Sequence, residues 1–135
     1  MMKLTNIALW TVRVTGLVQV VLGLMFWSGH ALTLVSLHML IGMLFVLALL
    51  VLAGTAAWAR LGLVPVVLSI ALGLVIPVLG MTQTRLLPGP AHWVVRLTHL
   101  VIAMAAMGVA ARLARSTLSH PRRVPVIGGE TSALG

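Results

Sequence analysis

Four apolar runs follow one another along the 135-residue chain, near residues 7–28, 32–58, 61–81 and 91–113, with short polar breaks between them. Each is about twenty residues or slightly longer, and at a rise of about 1.5 Å per residue that length crosses the hydrocarbon core of a bilayer as a helix. With 61% hydrophobic and only 7% charged residues, a soluble domain of this size could not hide its apolar surface. The predicted fold is an all-α membrane protein, a four-transmembrane-helix bundle occupying residues 1–115. Residues 116–135 are polar, basic and rich in Pro and Gly, and read as a solvated, disordered cytoplasmic tail. No small-x-small cleavage site follows the first run, so it is expected to be a retained helix and not a signal peptide.

What the chain lacks narrows its chemistry. It has no cysteine, which removes disulfides, thiolate metal sites and cysteine nucleophiles. Glu130, in the tail, is the only carboxylate side chain, so paired-carboxylate hydrolysis, a Ser-His-Asp triad and an acidic proton relay have no residues to run on. The net charge of +8 is spread over helix ends, which suits anionic lipid head groups and not nucleic acid.

Basic residues also predict an orientation. Lys3, Arg60, Arg112, Arg115, Arg122 and Arg123 fall on one side, and only Arg85 and Arg96 toward the other. Both termini are then expected to be cytoplasmic, with His30 and the 82–90 loop outside, Trp27 and Trp93 at the outer interface and Trp58 at the inner one. The protein would be a multi-pass component of the plasma (inner) membrane.

One pattern occurs twice. Gly16-LVQVVL-Gly23 is followed in the next run by His38, and Gly73-LVIPVL-Gly80 is followed in the next by His99. Glycines seven residues apart stack on one helical face. The two halves run the same way, so the bundle is expected to consist of two parallel two-helix repeats. Counted from the outer helix ends, His38 and His99 both lie roughly 10–13 Å deep. A small residue, Gly42 or Ala103, stands four positions after each histidine, where something broad could lie against the helix.

This arrangement resembles the haem-binding four-helix core of membrane b-type cytochromes, over roughly residues 13–113 and at the level of pattern. The resemblance implies that His38 and His99 are the iron ligands of one haem b, near the outer leaflet. It also implies that Gly16, Gly23, Gly73 and Gly80 pack around the porphyrin. Two-haem members of that group carry a second histidine on each ligand helix; here the inner halves have none, so one haem per chain is the expectation. Read without the resemblance, the same glycines serve close helix–helix packing, and a membrane histidine bonds a neighbouring helix.

Other polar residues fit either reading. Arg96 and His92 share a helical face with His99, and the membrane portion holds no carboxylate to pair with the guanidinium. Haem propionates, with Arg85 nearby, or lipid phosphates would serve. Arg13 is expected to snorkel to cytoplasmic head groups. Gln19, between Gly16 and Gly23, could bond a ligand imidazole or satisfy a backbone carbonyl of the next helix. His30 reads as an exposed turn residue.

Three functional classes follow. A bis-histidine haem protein would carry single electrons to or from quinol, a partner protein or an outer-side oxidant. A non-catalytic membrane subunit would use the repeat for packing only. A transporter is disfavoured by the lack of buried acids. Membrane lipids are the expected surroundings, and a homo-oligomer stays open.

Overall fold

The computed structural model describes residues 1–119; of the predicted tail, 116–119 is the last turn of a helix, and the rest, with His120, Arg122, Arg123 and Glu130, lies outside the described residues. The described chain is all helical: α1 (Met2–Trp27), a one-turn 3-10 helix (Leu32–Leu34), α2 (Val35–Trp58), α3 (Leu63–Thr82) and α4 (His92–Ser119). All four long helices have the length and apolarity to cross a membrane, the constitution of a multi-pass membrane protein. Two ends run beyond the apolar runs. α1 begins at Met2 and α4 continues to Ser119, because a helix may extend past the hydrocarbon once its polar residues reach water or head groups.

Local chemistry ends the helices. α1 stops where Gly29 adopts φ 80°, with the Gly29 N–H donating to Phe26 O at 3.1 Å and the His30 N–H to Met25 O at 2.8 Å. This reciprocal pair satisfies carbonyls that the last turn would leave bare. α2 stops the same way at Arg60, φ 56°, with bonds from Arg60 to Ala57 O and from Leu61 to Ala56 O. Both turns are therefore tight, and consecutive helices lie antiparallel side by side.

The helices form a ring in which each touches its sequence neighbours, α4 closes on α1, and α2 and α4 meet across the diagonal. We call the end carrying Met2, Trp58, Leu63 and Ser119 the terminal end, and the opposite one the loop end. Packing is uneven between them. In α2 the buried residues run from Phe45 to Ala56, with none in 35–44; in α4 they run from Ala106 to Thr117, with Val95 alone before. Ala106, Ala110 and Ala114 are fully buried and four residues apart, so α4 presents a smooth seam to Leu49 and Leu52 of α2 and to Ala8 and Val12 of α1. Small side chains let the backbones approach closely, which is how helices gain contact when the solvent is as apolar as the protein. Toward the loop end this seam stops, and that is where both predicted ligand histidines sit.

Candidate functional site

Most of the buried polar side chains satisfy themselves. The hydroxyls of Thr5, Thr15, Thr55, Ser69 and Thr117 each donate to a carbonyl three or four residues back in their own helix, at 2.6–3.2 Å. Among the described residues three buried side-chain atoms have no partner: Gln19 Oε1, His38 Nδ1 and His99 Nδ1. Leaving such an atom unpaired costs about 1–3 kcal/mol, so each of the three needs an explanation. All three lie in the loosely packed half of the bundle.

His38 stands in the first turn of α2, half-buried. The Phe26 ring of α1 meets its imidazole edge-on, with centroids 5.2 Å apart and planes at 66°. Beneath it, the Gln19 amide of α1 donates a 2.7 Å hydrogen bond to the His38 carbonyl. Gly42 makes this crossing possible, because a Cβ there would lie 2.5 Å from Gln19 Nε2. Of the two roles open to Gln19 in the sequence, bonding the neighbouring helix's backbone is the one observed. Its contact is with the histidine's carbonyl and not its ring.

His99 lies two turns into α4, also half-buried. Gly80 of α3 faces it: a Cβ on Gly80 would come within 3.5 Å of His99 Cε1. Ala103, one turn on, is half-buried as well.

The remaining glycines have protein neighbours or none. A Cβ on Gly16 would meet Met107 Sδ at 2.8 Å, and one on Gly73 would meet Leu50 Cδ2 at 3.2 Å and Val46 Cγ1 at 3.7 Å. Met107 and Val46 each stand eight residues after a histidine, so Gly16 and Gly73 each face a side chain from the histidine helix of the other hairpin. Gly23 faces open space. Pro77, inside α3, deprives the Gly73 carbonyl of its in-helix donor.

Around the loop end, His92 Nδ1 donates to Leu86 O at 3.2 Å and His30 Nδ1 contacts Ser28 Oγ at 3.0 Å. Arg96 is exposed. Among the described residues no group of three or more His, Asp or Glu side chains could hold a bare metal ion.

Phe26 escaped the sequence reading, although hairpin arithmetic could have found it. With a turn centred near residue 31, residues about equally far from it face each other, which pairs Gln19 with Gly42 and brings Phe26 to His38. No protein-family model, curated protein or solved structure matches the chain.

Proposed function

We propose that this protein binds one haem b through His38 and His99 and carries single electrons in the membrane. The observation that carries the reading is the pair of buried imidazole nitrogens without partners on α2 and α4, the two helices that meet across the bundle. Among the described residues no third His, Asp or Glu joins the two, so the metal species they would suit is one that brings further donors of its own. The sparse packing of the loop-end half supports room for a flat ligand.

A haem bound there supplies an iron that gains or loses one electron at a time. His38 and His99 would both hold the iron through neutral imidazoles, a ligand pair that favours electron transfer over binding of oxygen. Gln19, by holding the His38 backbone, fixes the height and direction of that imidazole, and Phe26 limits its rotation. Arg96, toward the loop end, offers positive charge to an anionic edge, the place for propionates, while the His92 Nδ1–H is already given to Leu86 O. The electron partner would be a quinol or a redox protein. Both termini are assigned to the cytoplasm, with the haem toward the outer leaflet, on the distribution of basic residues. The two hairpins are read as parallel repeats, supported by the matched Gly16–Met107 and Gly73–Val46 contacts.

A second reading draws on the same contacts. Side chains of the protein itself fill the notches at Gly16, Gly42 and Gly73, as in a non-catalytic subunit whose glycines serve packing only. Reduced-minus-oxidised spectra of the purified full-length protein separate the two. Sharp visible bands, lost in His38→Ala and in His99→Ala but kept in His30→Ala, support the haem protein. A folded, colourless wild type that takes up no added haemin leaves the packing subunit.

A further inference from the structure

On the lipid-facing side of α1, away from the histidines, Lys3, Asn6, Trp10 and Arg13 follow one another at spacings of three, four and three residues, and all four are exposed. That spacing places them on a single helical face. The Arg13 guanidinium carbon sits 5.2 Å from the Trp10 ring centroid, so the side chain is bent back toward the terminal end. Beside this ladder runs a groove of about 530 Å³ between α1 and α2, lined by Asn6, Ile7, Trp10, Thr11, Val14 and Leu44 among others. Its hydroxyls are already spent: Thr11 donates to Ile7 O at 3.0 Å and Thr15 to Thr11 O at 2.6 Å. The groove wall is thus effectively hydrocarbon, while the ladder beside it is polar and cationic.

The depth of Arg13 decides what completes the ladder. Its Cα is roughly 16 Å along the helix from Met2, and bending back by one turn brings the guanidinium to roughly 12 Å. Counted from residue 7, where the apolar run begins, the Arg13 Cα is about 9 Å deep and its bent-back guanidinium about 4 Å, just beneath the head-group layer. No carboxylate side chain exists within residues 1–119 to neutralise it. We propose that this face is a binding site for one anionic phospholipid of the leaflet at the terminal end. Its phosphate is drawn down between Arg13, Asn6 and Lys3, and one acyl chain lies in the groove. The mixed lining, cation and amide beside an apolar trough, matches a lipid's two parts and gives a protein partner no such match.

Native mass spectrometry of the full-length protein with added phosphatidylglycerol or phosphatidylcholine of identical chains tests this. The wild type should hold phosphatidylglycerol about fivefold more tightly, the factor one basic side chain contributes near a membrane surface. Arg13→Gln should erase that preference, and Arg112→Gln, an exposed arginine on α4, should leave it intact. Quenching by brominated chains gives a readout that does not need the Arg13 variant: brominated phosphatidylglycerol should quench wild-type tryptophan fluorescence more than brominated phosphatidylcholine, and Trp10→Phe should remove the difference. Equal retention of the two lipids overturns the proposal. So does an equal fall in the Arg13 and Arg112 variants, or a co-purifying membrane protein lost in Arg13→Gln while the lipid preference persists. None of these outcomes depends on haem content.

Discussion

The Gln19 amide of α1 donates to the His38 carbonyl of α2 across 2.7 Å, and it reaches that carbonyl only because residue 42 has no side chain. The bond ties the first hairpin together at the level of the histidine and leaves Gln19 Oε1 buried without a partner.

This relationship makes Gln19 and Gly42 a coupled pair. Gly42→Ala should displace the amide and destabilise the protein by about 1 kcal/mol, the net value of such a bond. Gln19→Ala should cost a similar amount or less, since it also removes an unpartnered oxygen. The double variant should fall short of the sum of the two single effects, as contacting residues do. Thermal unfolding in detergent measures all three; additive effects would show that the two residues act independently.

Glycines in one helix should respond differently to one added methyl. Gly16→Ala meets the Met107 sulfur and should destabilise by roughly 1 kcal/mol, softened by the flexibility of methionine. Gly23→Ala meets nothing within 4 Å and should be neutral or stabilising by up to about 1 kcal/mol, through helix propensity. Melting temperatures moving in opposite directions are the expected result.

The terminal end should carry more of the stability than the loop end. Leu49, fully buried against α1 and α4, should cost on the order of 2 kcal/mol when cut to alanine, from the cavity alone, because lipid is as apolar as the core. Leu40, 69% exposed, should cost almost nothing. Equal losses at the two positions would contradict the uneven packing.

The histidines offer a sign test that spectra do not. In ligand-free protein, His99→Leu removes a buried atom with no partner and should raise the melting temperature. After incubation with haemin the order should reverse, since only the wild type gains stability by binding. A His99→Leu variant that is less stable in both conditions would mean that the imidazole already has a partner in the bundle.

How much of this was legible in residues alone varies with the kind of fact. Counting from the turns was enough to put His38 and His99 near the loop end, but not to place them equally far from their helix starts: His38 stands in the first turn of α2 and His99 two turns into α4. The facing of Gln19 and Gly42 was countable in the same way, given a tight hairpin. The fillers of the glycine notches were not, because Met107 and Leu50 reach Gly16 and Gly73 from other hairpins, and nothing in the spacing of Gly16 and Gly23 says which helix will lie against them. The loosening of packing beyond Phe45 in α2 was hidden too, since residues 35–44 are as apolar as those that follow.

Apolar run length, the lack of acids and the placement of two imidazoles were determined by the chain itself, because each depends on composition or on the fixed pitch of one helix. Which face of each helix turns inward was decided only in three dimensions. In a chain apolar on every side, hydrophobicity does not choose a face; the fit of Ala106, Ala110 and Ala114 against α1 and α2 does. That fit closes the terminal end and leaves Gln19, His38 and His99 in the half it does not fill.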